Sequence, residues 1–191
     1  MEDAADRGGG RHLAIGCNHD DSAWVHDHLA DPFRLRVATE EDLDWVVERH
    51  ATLYRQEQNW DERFAAIPAQ VVADFRTRRD TDGERGFLAE QDGQRLGCAF
   101  VMRDESAVAS AKLRLLLVEP HARRRGIGEG LVAACIQFAR QAGYRSLSLW
   151  TESVLTDARR LYERKGFRLV RTRRHRSFGA EMNAEIWELT W

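Results

Sequence analysis

Midway along the chain an apolar run, Lys112 to Val118, ends at Glu119-Pro120 and leads through Arg123-Arg124-Arg125-Gly126-Ile127-Gly128. A helical pattern of Leu131, Val132, Cys135, Ile136, Phe138 and Ala139 follows, closed by Gly143. The spacing predicts a strand stopped by proline, a tight turn and an amphipathic helix in direct succession. Glycines at a helix start let several backbone N–H groups converge without side-chain obstruction. The helix dipole adds partial positive charge there and the arginines add formal charge, so the turn is suited to an anion of the phosphate kind.

Three phosphate-binding readings compete. A P-loop needs G-x-x-x-x-G-K-[ST], and the chain contains no Gly-Lys dipeptide. A Rossmann fingerprint needs G-x-G-x-x-G, whereas Gly126, Gly128 and Gly130 alternate and Leu131 occupies the third glycine position. Only about sixty residues remain beyond the turn, too few for the usual doubly wound sheet. The third reading, a loop for the pyrophosphate of coenzyme A, meets neither objection.

The flanking sequence supplies the rest of a mixed α/β domain. Phe33, Leu35 and Val37 alternate with Arg34, Arg36 and Ala38, the period of a half-buried strand. Thr39 before Glu40, Glu41 and Asp42 reads as an N-cap with acids in the first turn. The helix that follows, to about Gln56, buries Leu43, Val46, Val47, Leu53 and Tyr54, and a second, Asp61 to Arg78, carries Pro68 inside it, predicting a kink or split. Gly86 to Glu90 and Leu96 to Met102 flank Asp92-Gly93, a hairpin signal. After the turn come a strand from Ser146 to Trp150, a helix from Asp157 to Arg164, and strands at Phe167 to Val170 and about Ala184 to Leu189. The predicted order is strand, two helices, three strands, helix, strand, helix, two strands, with a central sheet between helices.

Length and composition narrow the class. At 191 residues the chain predicts one domain, 32–191, behind a leader, 1–31, that shows no helical or strand periodicity. Within the leader, Cys17, His19, Asp20, Asp21, His26 and His28 read either as metal ligands or as a polar tail; no recognised ligand spacing supports a metal, and none is expected. Cys17, Cys98 and Cys135 are scattered, no export signal opens the chain, and no apolar run reaches the about 20 residues of a membrane span, so a cytoplasmic protein is expected. Of 29 basic residues only Lys112 and Lys165 are lysines, a skew suggesting a GC-rich bacterial genome. The formal charge of -2 conceals fourteen basic residues against five acids between Glu119 and Arg176, which points to a polyanion held locally.

On these residues the chain resembles the GNAT superfamily of acetyl-coenzyme A dependent N-acetyltransferases. Arg123, Gly126 and Gly128 match [RQ]-x-x-G-x-[GA], and Ala158, Leu161, Tyr162, Gly166 and Phe167 match A-x-x-L-Y-x-x-x-G-F downstream. Within that superfamily, Ala111 to Pro120, Leu149-Trp150-Thr151, Leu155, Ser177-Phe178-Gly179 and Trp187-Glu188-Leu189 resemble the acetyltransferase half of bacterial MarR–acetyltransferase fusion proteins. The leader is too short for the DNA-binding half. Leu155 stands where many members carry asparagine, and Arg176 and Ala180 where histidines are expected.

The resemblance implies a GNAT fold, a mostly antiparallel sheet splayed after its fourth strand and flanked by helices. Acetyl-coenzyme A is then the cosubstrate and a primary amine the acceptor. It further implies that Leu116, Leu117 and Val118 lie along the pantetheine arm, with an N–H near Leu116 for the oxyanion. Arg123, Arg124, Arg125, Gly126, Ile127, Gly128, Glu129 and Gly130 would hold the pyrophosphate. Tyr162 is the family's usual proton donor to the leaving thiolate, or else an aromatic packing its helix onto the sheet.

An amine with pKa ~10.4 is mostly protonated at pH 7, a penalty of about 4–5 kcal/mol, so a base is needed. His50, Tyr54 and Glu57 share one helix face at i, i+4 and i+7, with Trp60 just beyond. In this superfamily that joint borders the acceptor. Glu57 or His50 as base and Trp60 as wall is one reading; an ordinary solvated face is the other, and Glu152 and His175 are the next candidates. Arg171 to Arg176 reads as a solvated strand edge; nucleic acid is not expected, because no aromatics interleave for base stacking. A silent acyl-coenzyme A sensor is the alternative function, and monomer and homodimer both stay open.

Overall fold

The computed structural model describes residues 33–78 and 80–191, so the leader and its Cys, His and Asp set lie outside the described residues. The elements run β1 (Arg34–Val37), α1 (Glu40–Gln58), α2 (Ala66–Arg78), β2 (Arg85–Gln91), β3 (Gln94–Arg103), β4 (Ser110–Val118), α3 (Ile127–Gln141), β5 (Ser146–Glu152), α4 (Thr156–Arg164), β6 (Arg168–Ser177) and β7 (Ala180–Thr190). That is the order expected from the sequence. Seven strands form a sheet in the order β1-β2-β3-β4-β5-β7-β6. The β4–β5 pair is parallel and the others are antiparallel.

Strand alternation sends side chains to two cores. On one face Phe87, Val101, Leu113, Leu147, Leu149 and Trp187 meet Leu131, Val132, Cys135 and Phe138 of α3 and Leu161 of α4. On the other, Leu88, Cys98, Phe100 and Leu117 meet Leu43, Val46 and Leu53 of α1 and Val72 of α2. Each large apolar side chain so buried contributes about 1.5–3 kcal/mol.

The start of α1 is fixed by one carboxylate. Buried Asp42 accepts the Thr39 N–H at 2.8 Å, closing a capping box, and also takes Arg36 at 2.6 and 2.9 Å and Arg95 at 2.7 Å. Burial alone would raise its pKa; Arg36, the Thr39 amide and Arg95 together hold it well below the usual carboxylate range. The cap joins α1 to β1 and β3.

Two elements differ from the sequence reading. The second helical segment splits into a 3-10 turn, Glu62–Ala65, and α2, with Pro68 in the first turn of α2, where a missing N–H has no intrahelical partner to lose. The strand predicted to end at Val170 continues to Ser177, and β7 begins at Ala180, so the arginine run forms half of a long hairpin. Most of β6 is exposed, so no apolar alternation marked it.

Candidate functional site

Pairing between β4 and β5 stops at Leu113 opposite Leu149. Beyond it β4 stays with β3 to Val118, while β5 stays with β7 to Glu152, so the sheet opens into a V. A bulge sets the β4 side: Cys98 faces Leu117 and Phe100 faces Arg114, leaving Leu115 and Leu116 opposite Ala99, and Leu115 is left-handed at φ 54°. Nothing in an apolar strand sequence announces this kink.

The bulge decides which backbone groups are available. The Glu119 N–H donates to Leu96 O at 2.8 Å, so Glu119 and Leu117 point their backbone at β3 and Leu116 and Val118 point theirs into the V. Leu117, expected along the pantetheine, is therefore committed to β3, with its side chain in the α1–α2 core. The Val118 carbonyl accepts Arg123 Nε at 3.1 Å, which leaves the Val118 N–H and both groups of Leu116.

The turn at the mouth of the V presents backbone donors at the start of α3. Arg124 and Gly126 are left-handed, at φ 63° and 82°, and α3 starts at Ile127. The amides of Ile127, Gly128 and Glu129 precede the first intrahelical donor, the Gly130 N–H, and are left to a ligand or solvent. Gly130 is different: its N–H donates to Gly126 O at 2.9 Å, and a Cβ there would meet Leu35 at 3.4 Å, so it serves packing of α3. The Ile127 side chain is core, and Glu129 pairs with Lys165 at 2.9 Å. Arg123 turns back to Glu57 at 2.8 and 2.9 Å, Arg125 donates to Gln91 at 2.7 Å, and exposed Arg124 has no protein acceptor among the described residues.

Of the expected bases, neither on α1 suits the task. Both Glu57 oxygens hold Arg123. His50 is 3% exposed, with Nδ1 2.7 Å from Val46 O and a buried Nε2 lacking any partner; burial pushes its pKa down to about 4. Tyr162, on α4, is 5% exposed, and burial, then the nearby Tyr54 on α1, push its pKa up.

The far wall of the V joins β5 to the β6–β7 hairpin. Glu152 is 1% exposed, with Oε1 accepting His175 Nε2 at 2.8 Å, while the Ser177 hydroxyl sits 3.0 Å from His175 Nδ1. The hairpin tip closes on the α1–α2 joint, where Trp60, Phe64, Phe178 and Met182 pack with Tyr54 and Leu155 and the Asp61 N–H meets Phe178 O at 3.4 Å. Trp60 stacks on Tyr54 at 4.9 Å between ring centres, a member of this cluster. Sequence reading missed Arg49, which clamps Glu119 at 2.6 and 2.8 Å and ties α1 to the end of β4. A groove of about 560 Å³ between α1 and α2, lined by Val47, Val72, Ala73 and Arg76, lies outside this site and holds none of these groups.

An α/β domain whose sheet splays beside a glycine- and arginine-rich turn that opens a helix defines a recognisable class. Residues 36–167 match the model of the acetyltransferase (GNAT) family, and the chain belongs to that family. It is 27% identical over 152 residues to an uncharacterized N-acetyltransferase from Methanocaldococcus jannaschii, covering 73% of this chain and 62% of that protein. It is 29% identical over 167 residues to a mycothiol acetyltransferase from Beutenbergia cavernae, covering 83% of this chain and 53% of that protein. The chain thus spans little more than half the length of these curated relatives. Its fold is similar to that of a Salmonella typhimurium protein solved with its cofactor acetyl-CoA, with TM-score 0.69 and 19% identity, covering 84% of this chain and 94% of that one. It is also similar to that of a ribosomal-protein-alanine N-acetyltransferase from Brucella melitensis, with TM-score 0.67 and 24% identity, covering 82% and 99%.

Proposed function

We propose that this chain transfers an acetyl group from acetyl-coenzyme A directly to a primary amine. The observation that carries the reading is the V between β4 and β5, with unpaired backbone of Leu116 and Val118 running up to an N-terminal helix turn rich in N–H donors. The amides of Ile127, Gly128 and Glu129, with Arg124, suit a pyrophosphate. The Leu116 and Val118 edge suits the amide groups of a pantetheine arm, as in strand addition. A Leu116 N–H beside the thioester carbonyl would stabilise the oxyanion of the tetrahedral intermediate. Tyr162, held protonated by burial, gives the departing sulfur its proton. The names of the mycothiol acetyltransferase and N-acetyltransferase relatives support acetyl transfer. The resemblance to the acetyltransferase half of MarR fusions stays with this reading as a guide to close relatives.

The test is thiol release from acetyl-coenzyme A across a panel of amines and peptides, alongside calorimetric binding of acetyl-coenzyme A. Turnover of at least one amine with saturable acetyl-coenzyme A dependence is expected. Tight binding of acetyl-coenzyme A with no amine acetylated would replace the enzyme by an acyl-coenzyme A sensor.

A further inference from the structure

On the wall of the V opposite Leu116, Glu152 has a carboxylate oxygen that nothing among the described residues satisfies. Its Oε1 is held by His175, but Oε2 is buried without a partner. Leaving a charged acceptor so costs about 1–3 kcal/mol or more, a cost that a bound donor would remove. Among the described residues two other buried side chains share this condition. Glu84 lies at the opposite end of the sheet, with its other oxygen on Arg78 and the Arg103 amide, and the His50 nitrogen is enclosed beneath α1.

Glu152 is well placed for a ligand. It comes three residues after Leu149, where β4 and β5 part, and lies opposite Ala184 on the face shared by Trp150, Met182 and His175. That is the face of the α1–α2 joint, whereas the glycine- and arginine-rich turn opens α3 on the other face. We propose that the Glu152–His175 pair receives the acceptor as an ammonium ion and takes its proton, so that the chain works on the abundant cationic form of a primary amine rather than on its scarce free base. This rests on the amine-acetylation reading above.

The step balances. One N–H bond of the ammonium breaks as an O–H bond forms at Glu152 Oε2, while His175 holds Oε1; that proton leaves to solvent once the product departs, returning Glu152 to its carboxylate. The freed lone pair forms the C–N bond to the acetyl carbon and the C–S bond breaks. The sulfur leaves with its electron pair and takes the Tyr162 proton, which Tyr162 regains as a second N–H bond of the new amide nitrogen breaks. The groups that bear on Glu152 are His175 on β6, Glu185 on β7 with Arg159 of α4 bound to it, and exposed Arg173 two strands away on the same face. Burial raises the Glu152 pKa and the His175 hydrogen bond opposes the rise, so the carboxylate is a better base than a solvated one.

The experiment measures kcat/KM against pH for the fastest acceptor among tryptamine, tyramine, spermidine and a lysyl tetrapeptide with a blocked N-terminus, in wild type and Glu152→Gln. With an amine of pKa ~10.4 only about one molecule in 2,500 is free base at pH 7. Wild type should therefore hold a plateau between the Glu152 and amine pKa values. Glu152→Gln should lie at least 30-fold lower at pH 7, rise tenfold per pH unit and close the gap near the pKa of the amine, with acetyl-coenzyme A affinity within twofold. In His175→Asn the acid limb should move to higher pH, because the hydrogen bond that restrains Glu152 is gone; this variant carries the test if Glu152→Gln does not fold. A Glu152→Gln profile parallel to wild type, or an acid limb unmoved in His175→Asn, overturns the proposal and leaves amine acetylation standing. A wild type that binds acetyl-coenzyme A yet acetylates none of the four amines overturns both.

Discussion

Tyr162 carries its hydroxyl on a ring that packs beside Phe167 in the main core. If that hydroxyl protonates the departing sulfur, Tyr162→Phe keeps the ring and its packing and removes only the proton. The expected result is a fall in kcat of at least about 10²-fold where chemistry limits turnover, with acetyl-coenzyme A affinity within threefold; single-turnover rates check it, and a wild-type rate would leave Tyr162 as a packing residue. The turn gives a second contrast. A Cβ on Gly128 would lie 3.4 Å from Leu161 and 3.5 Å from Val118, so the branched Gly128→Val crowds the approach to the free amides. Calorimetry should show acetyl-coenzyme A binding at least tenfold weaker, about 1.4 kcal/mol, whereas Gly130→Ala, facing Leu35, should leave it within twofold. Gly126 was legible in the sequence because the left-handed backbone at the start of α3 favours glycine. Gly130 was not, since a glycine chosen for helix packing reads the same as one chosen for a ligand.

Helix α1 is the element on which the site hangs, since it carries Arg49 to Glu119, Glu57 to Arg123 and Tyr54 to the aromatic joint. Its register is set at the other end by Asp42, between Arg36 and Arg95. Asp42→Asn keeps the shape but leaves Arg95 without its charge partner and Arg36 with Glu90 alone, a class of change that costs up to about 3–5 kcal/mol. At about 2–4 °C per kcal/mol for a domain of this size, thermal melts should show Tm lowered by up to roughly 6–20 °C. The Asp42 pKa is depressed in the fold, so its contribution is complete above about pH 4 and is lost only as pH falls through the folded value. The gap between wild type and variant should thus be constant from pH 5 to 8. The sequence revealed α1 and its cap, because apolar spacing and Thr39 with Asp42 are local signals. The β6–β7 hairpin stayed hidden beyond Val170, because an edge strand wetted on both faces has no apolar period, and with it went the position of His175 against Glu152.

Across the whole molecule, element order and sheet class were readable from periodicity, whereas the partners of each polar side chain depend on what the opposite layer brings, which one helix face cannot show. His50 illustrates this: at i−4 from Tyr54 it reads as a site residue, yet the layers close over it and it stacks on Tyr54 at 6.1 Å. Its burial has a consequence for global stability. A histidine whose folded pKa is about 4 and whose unfolded pKa is about 6.5 is protonated first in the unfolded chain. Its neutral burial is therefore without penalty above pH 6.5, and stability drains away as pH falls from 6.5 to 4, by at most about 3 kcal/mol. Below pH 4 the depressed carboxylates, Asp42 foremost, take over the loss. His50→Phe preserves an aromatic ring against Tyr54 and removes the unpartnered Nε2, so it should fold and flatten the dependence of Tm on pH between 6.5 and 4 while leaving the steeper loss below 4 in place. Glu152 acts with the opposite sign, since a raised carboxyl pKa favours the folded state as pH falls. The His50 contribution is accordingly read from the difference between variant and wild type at each pH, and equal slopes for the two proteins from pH 6.5 to 4 would show that the imidazole reaches solvent in the fold.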